Sequence, residues 1–350
     1  MRRVIPLALL ISALGVASGG RADSAGIVEK PVAFSIVNTN TTPTAAACAS
    51  DGKPYTVRGT LAAPAGHTDG PSDAVTVYLH GSGDGSTWNF TAVPGVDHVA
   101  EMARLGHASV FLHMLGYGAS DPVDGSALCA GSFADIAHQV VQQLRHGTYA
   151  SRGPAPAYER VALAGHSVGG LWAEFYAVSY DDIDALVIAG WADAAAFKPS
   201  FVPTYAGLAR LGVACATGGS SKRQGGPSGW ARVFSDADLD RFLYNVEPGV
   251  KRAFIASYEE DPCGIGRDVG PAAALTMALS PMVVRVPVLL IYGDHDPFVP
   301  GAYELQRARY VSSSDVALEV ISDAGHGAMM ARSAAGYREV MSRWLKARKF

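Results

Sequence analysis

Three short stretches carry residues whose types could do chemistry together. "AGHSVGG" (164–170) places Ser167 between Gly165 and Gly169, directly after an apolar run. "GDHD" (293–296) offers two carboxylates, Asp294 and Asp296, and "DAGHG" (323–327) offers His326. A serine hydroxyl is a weak nucleophile until a base takes its proton during attack. Imidazole titrates near neutrality when unperturbed and suits that task. A carboxylate on the other ring nitrogen fixes the tautomer and stabilises the imidazolium. Glycines beside the serine remove side chains where backbone turns sharply or packs closely. Together these types point to nucleophilic attack on a carbonyl. The bland alternatives are a turn serine and a core histidine, one of ten in the chain.

Such residues must be brought together by the elements before them. "AVTVYLHG" (74–81) reads as a strand and is followed by "HGSGDGSTWNF". "RVALAG" (160–165) is a strand that runs into the serine turn, with a helix in "GGLWAEFYAVSY" after it. "VPVLLIYGDHD" and "VALEVISDAGHG" are each a strand and a turn. Before and between them lie strands in "VAFSIV", "YTVRGTLAAP", "ASVFLHMLG" and "DALVIAG". Helices are expected in "HVAEMARLG", in "FADIAHQVVQQLRHG" with Ser132 as its cap and Gly147 as its stop, in "AYELQRARYV" and in "AAGYREVMSRWLKAR". Alternating strands and helices imply a mainly parallel sheet covered on both faces. In such a sheet the ligand site lies at the carboxyl ends of the strands, so all these loops should open on one edge. Residues 192–282 break the rhythm with a loose "ATGGSSKRQGGPSG" and helical pieces such as "DADLDRFLYN" and "VKRAFIASYEE".

In this arrangement the sequence resembles the α/β-hydrolases over nearly all of residues 30–348. The Gly-x-Ser-x-Gly turn between strand and helix is that fold's nucleophile elbow, and Ser…Asp…His is its order along the chain. The resemblance implies an α/β fold with a mainly parallel central sheet flanked by helices. It assigns 30–191 and 283–350 to the core, and 192–282 to a helical lid inserted after the sixth core strand. It implies Ser167 as nucleophile, His326 as general base and acid, and Asp296, three residues after the strand-end Gly293, as the acid. Backbone N–H groups of Val168 and Ser82 would form the oxyanion hole. His80 matches the family's "HG" turn histidine, which supports that loop without reacting. His166 should pack below the serine, and "LGYGASDP" (115–122) matches a structural glycine-rich loop.

Trp88, Phe90 and Trp191 follow catalytic-edge strands and either line an apolar pocket or pack the lid onto the core; Met329 and Met330 border the same region. A metal is not expected, because Asp294, His295 and Asp296 have no distant partner. "GSGDGS" lacks the spacing of a phosphate cradle. No organic cofactor is implied.

The totals narrow the remaining choices. The 350 residues carry 28 basic and 32 acidic side chains, a net charge of −4, with no basic run, which gives nucleic-acid binding little support. "MRR", an apolar "VIPLALLISALGVA" and small residues after it read as a secretory signal over 1–22, cleaved after Ala17 or Ala22. The apolar run is short for a membrane span, so no anchor is expected after cleavage. Secretion or periplasmic residence permits disulfides among the four cysteines. Spacing alone leaves three pairings open; Cys48–Cys129 with Cys215–Cys263 is the favoured one, because the second pair falls within the lid. The expected function is a secreted serine hydrolase acting on a carboxylic ester or lactone. Its rivals are an exported peptidase of the same fold and a non-catalytic binding module. The partner is a small-molecule substrate, and the oligomeric state is not encoded legibly.

Overall fold

The computed structural model describes residues 26–42, 49–67, 72–83, 87–195, 202–221, 226–265 and 271–350. The expected leader and Cys48 lie outside the described residues. In chain order the elements are β1 (Ile27–Val37), β2 (Pro54–Pro64), β3 (Ser72–Leu79), α1 (His98–Arg104), β4 (Ser109–His113), α2 (Ala130–His146), β5 (Ala150–Ser151), β6 (Tyr158–His166), α3 (Val168–Ser179) and β7 (Ala185–Ala189). An insert follows: α4 (Val202–Ala216), β8 (Trp230–Ala231), α5 (Asp236–Phe242), α6 (Pro248–Ser257), β9 (Asp261–Pro262) and α7 (Pro271–Val283). The chain then returns through β10 (Val288–Gly293), α8 (Tyr303–Arg307), β11 (Val316–Ile321) and α9 (Ala334–Lys346).

The main sheet has nine strands in the order β11-β10-β7-β6-β3-β4-β2-β1-β5. From β4 to β11 neighbouring strands are parallel, while β2, β1 and β5 add antiparallel pairs at the other end. The parallel strands are apolar almost throughout. Every residue of β7 and β10 is buried, as expected where helices cover both faces. On these faces α1 packs with α9, and α2 with α3. The two-residue β5, which extends the antiparallel edge, left no readable sequence pattern.

One helix boundary differs from the sequence reading. Helix α2 begins at Ala130, with Cys129 as its cap residue, so Ser132 lies inside the first turn. The Ser132 hydroxyl accepts from the Cys129 N–H at 2.8 Å and donates to the Cys129 carbonyl at 2.9 Å. A serine can satisfy orphan groups from the third helical position as well as from the cap, and sequence alone does not separate the two. Gly147 ends the helix in the left-handed conformation, as expected.

The insert is joined to itself by Cys215–Cys263, which closes a 48-residue separation between the end of α4 and the residue after β9. Of the other expected pair only Cys129 falls in the described residues. No described helix is long and apolar enough to cross a membrane.

Candidate active site

Ser167 stands where β6 passes into α3, with φ 54° and ψ −129°. A non-glycine residue in this region costs of the order of 1–3 kcal/mol and persists only where its surroundings enforce it. Here they do. The Ser167 N–H donates to the Ala189 carbonyl of β7 at 2.9 Å, and the Ser167 carbonyl accepts from the Gly170 N–H at 2.8 Å. The flanking glycines are required by close approach. A Cβ on Gly165 would fall 2.1 Å from the Gly169 carbonyl oxygen, and one on Gly169 would fall 2.3 Å from that of His80. Thus β6, α3 and the end of β3 meet too tightly for any side chain.

His326 follows β11, and Asp296 follows β10. His326 Nδ1 lies 2.9 Å from Asp296 Oδ2, and both residues are buried. A carboxylate only accepts, so Nδ1 carries the proton and Nε2 keeps its lone pair. Asp296 Oδ1 accepts from the Phe298 N–H at 2.9 Å, which fixes the carboxylate plane. Asp294 points elsewhere: it accepts from His295 Nδ1 at 2.7 Å and from the Ala324 N–H at 3.1 Å. Burial pushes its acidity the other way, but these hydrogen bonds hold Asp294 below the usual carboxylate range. Of the two aspartates the sequence offered, Asp296 is the one against the imidazole.

His166 braces the His326 loop from below, where its Nε2 donates to the His326 carbonyl at 2.9 Å. Burial, with the neighbouring His326 ring, drives His166 well below its ordinary pKa. It stays neutral and acts as a strut. His80 has an analogous task. Its Nε2 accepts from the Met114 N–H at 3.2 Å, so Nδ1 donates to the Gly81 carbonyl at 2.7 Å. This sets the turn that carries Gly81 and Ser82 beside the serine, where a Cβ on Gly81 would be 3.0 Å from Ser167 Cβ. Val168 opens α3, so its N–H has no acceptor within the helix, and the positive end of the helix dipole faces the same place.

Ser82, Ser167 and His326 line one cleft, a slot with about 410 Å³ of empty space that runs out into solvent. Its wall is apolar and mostly supplied by the insert: Phe234, Leu239, Phe242, Phe254 and Tyr258, joined by Phe298 and Met330. Phe298 lies 4.3 Å from the His326 ring, centroid to centroid.

Of the five residues that the sequence placed near a pocket, Met330 is in this lining and Trp88, Phe90, Trp191 and Met329 are not. Trp88 is wholly buried, donates to the Leu79 carbonyl and packs on Tyr78 and His98. Phe90 packs on Phe254 and so joins the insert to the core. Trp191 donates to Asp193 at 3.0 Å. Met329 is buried, while its neighbour Met330 reaches the slot. Four of the lining aromatics were missed because they belong to the insert, where an isolated aromatic reads as packing; Phe298, in the loop after β10, was also missed. Asp261 was missed as well. Among the described residues no cluster of three or more His, Cys, Asp or Glu side chains could hold a metal.

Residues 76–340 match the family described as "Alpha/beta hydrolase family", and the chain belongs to it. It is a hydrolase of that family. No curated protein matches the sequence. Among solved structures it is similar to a monoacylglycerol lipase of Paleococcus ferrophilus, at 18% identity and TM-score 0.57, over 81% of this chain and 97% of the lipase. It is also similar to a thermophilic esterase from Thermogutta terrifontis, at 17% identity and TM-score 0.55, over 90% of this chain and 99% of the esterase. An N-acyl homoserine lactone degrading enzyme aligns at 16% identity and TM-score 0.55, over 85% and 99% of the two chains. At these identities the likeness is one of fold.

Proposed function

We propose that the protein hydrolyses a carboxylic ester or lactone with an apolar acyl group, through an acyl-enzyme on Ser167. The observation that carries this reading is the Asp296–His326 pair opening into the same slot as the strained Ser167. The Ser167 Oγ attacks the carbonyl carbon and its proton passes to His326 Nε2. Asp296 holds the ring in the required tautomer and stabilises the imidazolium. The carbonyl oxygen takes up negative charge and accepts from the Val168 and Ser82 N–H groups, each worth about 3–4 kcal/mol at the transition state. Collapse expels the alcohol with the proton from His326. Water then attacks the acyl-enzyme, giving its proton to the same nitrogen, and the acid leaves as Ser167 regains its hydrogen.

The apolar, aromatic wall supports an apolar acyl group, since no Asp, Glu, Lys or Arg side chain lines the described slot. The similar structures, described as an esterase, a monoacylglycerol lipase and a lactone-degrading enzyme, support the same bond class. The test is a panel of p-nitrophenyl esters from acetate to palmitate with wild type and Ser167→Ala, alongside fluorophosphonate labelling. Serine-dependent turnover with an optimum in acyl length is expected. Absence of both turnover and labelling of Ser167 sinks the reading. We further propose that the N-terminal segment within residues 1–22 directs export and is cleaved off. Mass spectrometry of the protein from the culture medium or periplasm should find a chain starting after Ala17 or Ala22, and an intact Met1 there would refute this.

A further inference from the structure

Asp261 belongs to the insert, on the two-residue β9, yet its carboxylate is turned onto the loop after β3. It is fully buried. Oδ2 accepts from the Ser82 hydroxyl at 2.7 Å and from the Tyr258 hydroxyl at 3.3 Å. Oδ1 accepts from the Gly83 N–H at 2.6 Å and from the Tyr117 hydroxyl at 2.9 Å. A buried carboxylate is costly unless its lone pairs are satisfied. Here it gathers donors from the turn, from the "LGYG" loop and from its own insert. The contact is built from the other side too. The Glu259 N–H donates to the Gly83 carbonyl at 2.6 Å, and a Glu259 carboxylate oxygen accepts from the Gly118 N–H at 3.0 Å. Gly83 has φ +59°, and a Cβ there would strike the Tyr258 ring at 2.1 Å. Both backbone polar groups of Gly83 are thus held by the insert.

We propose that Asp261 is a positioning residue that fixes the Ser82–Gly83 turn in the geometry that receives the oxyanion, so that the insert completes the reaction centre as well as covering it. The proposal rests on the ester-hydrolase reading above. Hydrogen bonds to an oxyanion work only when the donor sits where charge develops, and a misplacement of about 1 Å costs about 10²-fold in rate. Asp261 touches no substrate. Its effect passes through the Ser82 backbone N–H, which stays in the chain whatever the side chain at 261.

The experiment compares wild type, Asp261→Asn, Ser82→Ala and the double variant on one p-nitrophenyl ester. Asparagine turns an acceptor into a donor facing other donors. Asp261→Asn is expected to lower kcat about 10²-fold with KM held within about twofold. A trifluoromethyl ketone carrying the same acyl group forms a tetrahedral oxyanion on Ser167, and its affinity should fall in parallel with kcat. The matching methyl ketone, a ground-state mimic, should bind as before. Ser82→Ala keeps the N–H and loses one tether, for a fall of roughly 3–10-fold. In the double variant the second change should add almost nothing, because both act through one contact. If Asp261→Asn does not fold, Ser82→Ala with the two ketones decides alone. Equal losses for both ketones, a change confined to KM, or an unchanged kcat would overturn the proposal. Wild-type protein with neither Ser167-dependent turnover nor labelling overturns the ester-hydrolase reading and the proposal with it. Wild-type activity with an unaffected Asp261→Asn overturns the proposal alone.

Discussion

Ser167, Asp296 and His326 stand at the ends of β6, β10 and β11, whereas Phe242, Tyr258 and Asp261 come from short pieces of the insert. The strand ends are positioned by a buried parallel ladder, in which each strand is hydrogen-bonded to its neighbours. The insert is positioned by individual contacts. The Phe242 carbonyl accepts from the His326 N–H at 3.0 Å, and Asn245 holds Asp323 at 2.7 Å. Asp261 holds the turn at Ser82 and Gly83. The sheet thus sets where the candidate reacting groups start, and the insert sets how closely two of their loops are held. Removing a group from the first region should therefore cost far more than loosening the second.

The largest effect expected is Ser167→Ala, which should reduce kcat by about 10⁴–10⁶-fold while circular dichroism stays native. Retained wild-type turnover would break the assignment of the sheet edge. Asp296→Asn comes next, with a loss of about 10⁴-fold from the wrong imidazole tautomer. Asp294→Asn should stay within about threefold, since surface substitutions away from such networks change little. Rates that fell in the opposite order would exchange the two carboxylates.

The insert is probed by replacing Cys215 and Cys263 with serine. In the chain-entropy model, closing that loop stabilises by about 4 kcal/mol, so the double variant should melt earlier by several degrees. Cys263 lies two residues after Asp261, so kcat should fall alongside. A lowered melting point with an unaltered kcat would show that the cross-link and the turn are independent.

Acid should weaken the sheet side in a graded way. Burial drives His98 and His166 well below their ordinary pKa and His107 down to about 4, so the folded state keeps all three neutral. The unfolded chain takes up those protons as pH falls through about 6.5, so their contribution is present above that pH and lost below it. Asp97 opposes this. Burial raises it to about 6, so the folded state binds its proton first on acidification. Burial raises Glu174 and Asp193 as well, so they oppose it too, and the histidine share is read from urea melts at pH 7 and pH 5 of His107→Gln beside wild type: the variant should lose less stability on acidification. A variant that lost as much as wild type would show that His107 is protonated in the fold. The smallest effect on stability belongs to Asp97→Asn, which keeps a good helix cap and should gain about 1 kcal/mol at pH 8.

The sheet half of the molecule was legible because its signals are local and repeated. β7 and β10 are continuous apolar runs, and the turn glycines at 165 and 169 mark an unavoidable close approach. Ser167, Asp296 and His326 could be read from the ends of such runs. The slot was not. Trp88 and Phe242 have similar sequence surroundings in physical terms, an aromatic among polar and apolar neighbours. One is core and the other lining, because only tertiary packing decides which face of a ring meets a cavity. Asp261 precedes Pro262 and Cys263 as a loop acid would, and nothing local shows that it holds Ser82 and Gly83, 179 and 178 residues upstream.

The bonds from residues 258–261 to the turn after β3 also bear on how such proteins diversify. An insert that only shaded a cleft could be exchanged between relatives at its two junctions, like an interchangeable part. Here the exchanged part would carry away the support of a loop encoded far upstream. Chimeras cut at 191 and 283 would need their residues at 82, 83, 117 and 258–261 to travel together. Changes in substrate range by recombination are thereby tied to a matched set of residues on both sides of the junction.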